Sequence, residues 1–311
     1  MSKSILPISK KDEVLYKLYK KALSTFWIED EIRIREKDRD DWQSLSPNQQ
    51  FFLKNILAFF AGSDIIVAEN LALRFYAESQ SQVAKLFYGF QLMNEGVHSE
   101  TYARLIDGLV DDPQEKDHLF KAVETIPAIK KKADWAHSYI TSEADFRVRL
   151  IAFAVVEGIF FSGAFCSIFW LKTINKCPAL ILANEFISRD EALHCEFAVS
   201  YYKQFQPLEE SVIHQIIKDG VDIETEFITK SLPCNLLGMN SMYMTEYIQF
   251  VANRLAIQLG TNKLYPNAKN PFSWMESISI EKKTNFFEHK VSEYSFKKES
   301  KEQVIVLSED F

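Results

Sequence analysis

Residues 87–105 read FYGFQLMNEGVHSETYARL, and the spacing inside this run decides the fold class. Glu95, His98 and Tyr102 stand at i, i+3 and i+7, so on a helix of 3.6 residues per turn they share one face within two turns. A carboxylate and an imidazole on adjacent turns can close on one metal ion, with the phenol a turn further on beside it. A second Glu-x-x-His, Glu191 to His194 in FISRDEALHCEF, also lies in an apolar helical pattern. The spacing predicts two helices that each offer one carboxylate and one imidazole.

The composition around these stretches is that of a helical globular protein. Hydrophobic residues make up 47%, with 25 Phe, while nine Gly and nine Pro leave long runs without turn residues, which favours long helices over strands. A chain of 311 residues can build one large helical domain. The net charge of -7, from 36 basic and 43 acidic residues, gives no electrostatic reason to expect nucleic acid, and no basic block suits a membrane surface. Cys166, Cys177, Cys195 and Cys234 form no Cys-x-x-Cys pair, and the opening MSKSILPISKKDE is polar and charged. Reduced thiols and a cytoplasmic location are the expectation.

Residues 11–45 read as a first helical region with charged flanks, in which Trp27 has the look of a core-edge aromatic. Ser46-Pro47 fits a helix start, serine as cap and proline at the first helical position. The helix continues through FFLKNILAFFAGSDIIVAENLALRF, where a buried Asp64, or its rival Glu69, has to be paired, protonated or bound to something. A third Glu-x-x-His, Glu115 to His118, follows Asp111, Asp112 and Pro113 in a charged helix start, and reads as a solvated first turn. From Leu150 to Leu171 the chain reads LIAFAVVEGIFFSGAFCSIFWL, with Glu157 its only charge. Its length suits a membrane span, yet an ionised acid near the middle costs roughly 2.5 to 3.5 kcal/mol on insertion scales. With no second comparable span expected, it reads as the central helix of a bundle, and Glu157 as a functional acid.

Four apolar helices thus offer Asp64 or Glu69, then Glu95 with His98, then Glu157, then Glu191 with His194. Two single carboxylates and two Glu-x-x-His pairs are the ligand set of ferritin-like di-iron and di-manganese bundles. The expected fold is an all-α, ferritin-like helical bundle with a buried di-metal carboxylate site. Four carboxylates and two imidazoles suit iron or manganese, where a thiolate-rich set would suit zinc.

On FFAGSDIIVAENL, FYGFQ, EGVHSETY, VEGIFFSGAF, ISRDEALHCEF and NPFSWMESISIEKKTNFFEHKVSEY, in that order, the chain resembles the small, radical-generating subunit of class I ribonucleotide reductase in its eukaryotic and viral form. The resemblance runs from about Leu18 to Phe311. It implies Asp64, Glu95, His98, Glu157, Glu191 and His194 as ligands to two iron ions, with manganese an alternative, and so selects Asp64 over Glu69. It further implies a stable radical at Tyr102, with Phe161, Phe165 and Ile187 in its pocket. Trp27, Asp190 and Tyr294 would carry the oxidising equivalent to a large subunit, where ribonucleotides become deoxyribonucleotides for DNA synthesis. Residues 1–289 would be the helical domain. By composition, 290–311 reads as a charged, flexible tail, which in the family docks on the large subunit, with Val306, Leu307 and Phe311 as anchors. A homodimer is implied by resemblance alone. A di-iron oxygenase or an iron-storage protein could use the same ligands, but neither has a use for the Tyr102, Trp27, Tyr294 series or the tail.

Overall fold

The structure is a computed structural model that describes residues 8–121, 126–231 and 233–275. The chain divides into two compact units, Met1–Pro271, which holds the helices numbered below, and Phe272–Phe311, of which residues 272–275 are described. Tyr294, Val306, Leu307, Phe311 and the tail boundary at 290 therefore lie outside the described residues. Among the described residues there is helix and no strand.

The charged region before Ser46 forms α1 (Glu13–Ser24), a 3-10 turn (Glu29–Glu31) and α2 (Glu36–Gln43). Helix α3 (Pro47–Asn70) starts as its sequence predicts: Ser46 Oγ accepts from the Gln49 N–H at 3.3 Å, and Gln49 Oε1 accepts from the Ser46 N–H at 2.9 Å. It runs on through a π turn (Leu71–Phe75) to Glu78. Helix α4 (Gln82–Leu109) is capped by Ser81, and α5 (Pro113–Phe120) and α6 (Pro127–Ile140) come next. Then come α7 (Phe146–Val155), a π turn (Val156–Phe160), α8 (Ser162–Thr173) and α9 (Pro178–Tyr202). Helix α10 (Glu210–Glu226) leads through a third π turn (Phe227–Ser231) and a 3-10 turn (Cys234–Leu237) to α11 (Ser241–Leu259).

Helix α3 lies along α4, and α7 along α9, so the four segments that carry the predicted ligands enclose one core. The charged α2 has a definite task there. Asp38 Oδ1 accepts from the Ala179 N–H at 2.8 Å and Asp41 Oδ2 from the Cys177 N–H at 3.0 Å, so two acids complement the N-terminus of α9. This fixes the start of the helix that carries Glu191 and His194.

Two sequence expectations change. The run Leu150–Leu171 is not one regular helix, because the π turn at Val156–Phe160 divides it and places Glu157 inside that turn. Nor is it alone in length and hydropathy: Pro47–Glu78 is also long and apolar enough to cross a membrane, since its charges are thinly spread. In Phe146–Thr173 the apolar stretch is 89% buried within the protein, as a core helix should be.

Candidate metal centre

Six donors converge in the core, all nearly sealed from solvent: Asp64 from α3, Glu95 and His98 from α4, Glu157 from the π turn, Glu191 and His194 from α9. They form two overlapping groups, Asp64 with Glu95 and His98, and Glu95 with Glu157, Glu191 and His194, with donor atoms in each within 4.8 Å of one another. Glu95 belongs to both. Its Oε2 lies 3.3 Å from His98 Nδ1 and its Oε1 3.1 Å from His194 Nδ1. Glu191 spans the same gap, Oε1 at 3.0 Å from His98 Nδ1 and Oε2 at 3.2 Å from His194 Nδ1. Two carboxylates therefore sit between two imidazoles.

Both rings turn Nδ1 inward and are held from behind. His98 Nε2 lies 3.3 Å from Asp190 Oδ2, and His194 Nε2 lies 3.1 Å from Asn94 Oδ1. A ring donating from Nε2 leaves Nδ1 bare for a metal, and such outer partners set the tautomer and the ring plane. Gln91 donates to Glu95 Oε1 at 3.2 Å and to Glu157 Oε1 at 2.9 Å, tying the shared carboxylate to the π turn. Close helix approach supports this. A Cβ at Gly158 would stand 2.9 Å from Cys195 Sγ of α9, so glycine lets the π turn come against the helix bearing Glu191.

Four carboxylates with no water cannot all stay ionised unaided. Burial, with repulsion from Glu95, drives Asp64 well above the usual carboxylate range; burial, with repulsion from Glu191, does the same to Glu157. For Glu191 burial is outweighed by hydrogen bonding with Glu157 and by His194 and His98, and the carboxyl is held low. Both imidazoles are raised against the pull of burial, His98 by bonds to Asp190, Glu191 and Glu95, His194 by Glu95 and Glu191 to about 9. Protons thus do what cations could do better. Asp64 Oδ2 is buried without a hydrogen-bond donor, and two divalent ions would match the four negative charges. The oxygen and nitrogen donor set suits iron or manganese.

The site's pH dependence has two opposite signs. In the metal-free protein the protonated His194 ring contributes stability that is complete below 6.5 and lost as pH rises through about 9. Metal binding needs that proton to leave Nδ1, so affinity rises over the same window. Urea midpoints and Mn(II) affinities measured at pH 6.5 and 9 check both: at pH 9 the midpoint is lower and binding tighter.

Tyr102 lies one turn beyond His98 and is 1% exposed, and its hydroxyl has no hydrogen-bond partner. Burial pushes the phenol well above its ordinary range, and Asp64 is the charge that weighs most on it. Phe60 stacks flat on the Tyr102 ring, centroids 4.6 Å apart and planes within 4°. Phe161 and Phe165 form the next layer, 5.7 and 4.9 Å from Phe60, and Ile187 is buried nearby in chain position, one turn before Glu191. Phe60 escaped the sequence reading although it lies one turn before Asp64 on the same helix.

Trp27 is buried, and its Nε1–H donates to Asp190 Oδ2 at 2.6 Å. The same oxygen faces His98 Nε2, so Trp27, Asp190 and His98 form one connected line, with the two rings stacked at 6.0 Å and 20°. Arg189 donates to Asp190 Oδ1 at 3.1 Å, and Asp190 is held low by His98 and Arg189 in spite of burial.

Over residues 5–271 the chain matches the family described as ribonucleotide reductase, small chain. It is 49% identical over 319 aligned residues to the ribonucleoside-diphosphate reductase small subunit of Dictyostelium discoideum, covering 99% of this chain and 93% of that one. The chain belongs to the ribonucleotide reductase small-chain family.

Two further likenesses agree. The ribonucleoside-diphosphate reductase small chain of vaccinia virus (strain Ankara) is 53% identical over 291 residues, 93% of this chain and 90% of that one. The ribonucleotide reductase Rnr4 homodimer of Saccharomyces cerevisiae matches in structure with a TM-score of 0.81 at 33% identity, over 94% of this chain and 89% of that one. The ribonucleotide reductase small chain is a subunit of an oxidoreductase, and its ferritin-like helical fold is the one the sequence predicts. The residues set aside also lie elsewhere. Glu69 is exposed, 3.8 Å from His137 Nε2, and Glu115 pairs with Lys54 at 2.6 Å while His118 faces solvent. Gln91 and Asn94, which hold the site from behind, went unread, although they share a helix face with Glu95 and His98.

Proposed function

We propose that this small chain generates and stores the radical for a ribonucleoside-diphosphate reductase, holding two iron ions, or manganese, in its core. The reading is carried by one observation: two buried donor groups meet at Glu95, with Tyr102 one turn beyond His98 and its buried hydroxyl without a hydrogen-bond partner. Asp64, Glu95 and His98 would hold one ion, and Glu157, Glu191 and His194, together with Glu95, the other. Bound there, the metal pair supplies the reduction of dioxygen and the oxidising power to take an electron from a phenol.

The chain's own residues do the rest. Tyr102 would give up an electron and its hydroxyl proton; Asp64 is the charge that weighs most on this phenol, and its Oδ2 is buried without a hydrogen-bond partner. Phe60 covers the ring and Phe161 and Phe165 back Phe60, groups that donate no hydrogen atom readily. Asp190 Oδ2 accepts from Trp27 Nε1–H and faces His98 Nε2, so a proton can shift between indole and imidazole as charge moves between Trp27 and the site. Tyr294 and the tail 290–311, ending in Val306, Leu307 and Phe311, then connect to the large subunit, the partner implied by a small-chain family. A homodimer is supported by the dimeric Saccharomyces cerevisiae relative. A cytoplasmic location is part of the same proposal.

Reconstituted with iron, air and a large subunit of the same family, the chain should reduce ribonucleoside diphosphates and show no turnover alone. Trp27→Phe should lower turnover by about 100-fold or more while the radical and metal content persist. Parent-like turnover in Trp27→Phe contradicts the route.

A further inference from the structure

Lys130, Lys131 and Lys132 are consecutive on α6, yet only the first two behave as surface residues. Lys130 pairs with Asp134 and Lys131 with Glu226, each at 2.6 Å and exposed. Lys132 turns inward and is 3% exposed. Its ammonium pairs with the fully buried Glu224 of α10, donates to the Phe160 carbonyl at 2.8 Å, and lies 3.9 Å from the centres of both the Phe59 and Phe227 rings. Glu224 Oε1 in turn accepts from the Gly163 N–H at 3.1 Å.

The two backbone groups so engaged flank a break in the helix. Phe160 ends the π turn that contains Glu157, and Gly163 lies in the first turn of α8. Between them Phe161 packs on Phe59 and Phe60 at 5.7 Å each, and Phe60 carries the stack onto Tyr102. Glycine at 163 is required for the contact, since a Cβ there would stand 2.6 Å from Glu224 Oε1. Stability alone does not call for such a pair. Buried ion pairs are commonly matched or bettered by apolar residues of similar volume. Burial lowers Lys132 to about 8 and raises Glu224 to about 7, which shows how far desolvation works against both charges.

We propose that Lys132 and Glu224 are positioning residues for Glu157, gripping the chain at Phe160 and Gly163 so that the π turn cannot relax into regular helix. This rests on reading Glu157 as a metal ligand. A π turn holds one residue more than an α turn, and losing that residue from the register rotates the helix on its N-terminal side by about 100° relative to the helix on its C-terminal side. Such a rotation carries Glu157 away from Glu191 and His194 but leaves Asp64, Glu95 and His98 where they are.

The test is Mn(II) titration of the metal-free full-length chain, with electron paramagnetic resonance of the bound ions. The parent binds two ions with a magnetically coupled spectrum. Lys132→Met combined with Glu224→Leu removes both charges at similar volume; its affinity for one ion should fall at least about tenfold, the other should stay, and the coupling should vanish. Lys131→Ala with Glu226→Ala, which cuts the exposed pair between the same two helices, should change neither. If the double variant does not fold by circular dichroism, Glu224→Gln is held to the same criterion. Retention of both affinities within twofold and of the coupled spectrum overturns the proposal, as does equal weakening at both ions. A parent that binds no Mn(II) removes the metal reading itself, a failure distinct from either.

Discussion

Glu95→Ala is expected to lose both metal ions, whereas Asp64→Ala loses one. Glu95 is the member the two donor groups share, with its oxygens 3.3 and 3.1 Å from the two imidazoles; Glu191 faces the same rings but belongs to one group. Asp64 belongs to one group, and its loss leaves Glu95, Glu157, Glu191 and His194 together. Losing a partner outside the ligands typically costs 10- to 100-fold in metal affinity, and a shared ligand should exceed about that at each ion. Metal content after gel filtration, counted per chain in parent and both variants, reads the difference directly. Equal loss in the two variants contradicts the sharing.

Tyr102→Phe should abolish the stored radical and leave metal binding intact. The substitution removes one hydroxyl that makes no hydrogen bond, while the ring can keep its stack on Phe60. Little stability is at stake, because no partner is orphaned. Tyr88 provides the internal comparison. It is also a buried phenol on α4 without a hydrogen-bond partner, but it sits on the opposite flank of the site among Phe75, Phe87, Phe197 and Tyr201. If Tyr102 is the radical site, Tyr88→Phe should keep the parent signal.

The cluster of donor residues was legible because a carboxylate inside an apolar helix has few explanations. Asp64, Glu157 and Glu191 stand in runs where water cannot reach, and the Glu-x-x-His period sets each imidazole beside its acid. Glu115 and His118 show the limit of the motif: the same spacing in a charged helix start gives a surface pair with Lys54. Residues alone left Asp64 level with Glu69, since both keep to a helical period; only the family resemblance chose between them, and the exposure of Glu69 agrees. Trp27 and Asp190 were likewise ordinary by pattern, because their 2.6 Å bond joins positions 163 residues apart.

The features that stayed hidden have a common physical cause. A π turn is a change in backbone bonding, and VEGIF carries no residue type that demands it, so the break at Val156–Phe160 could not be read from apolar length. Lys132 sits in a triple-lysine run that reads as a solvated face, and its inward turn depends on Glu224, 92 positions away, in a helix of mixed character. Phe60, Gln91 and Asn94 are a different case. They have the right helical phase relative to Asp64 and Glu95, so periodicity extended beyond the charged groups and the tyrosine would have found them.

Electron paramagnetic resonance of the metal-free protein after ferrous iron and air, recorded for the parent, Tyr102→Phe and Tyr88→Phe, decides whether this core stores a radical and where. A tyrosyl signal in the parent and in Tyr88→Phe, absent from Tyr102→Phe with its iron still bound, is the expected result. A signal that survives in Tyr102→Phe, or none from a parent holding two irons per chain, contradicts the assignment of Tyr102 as the radical site.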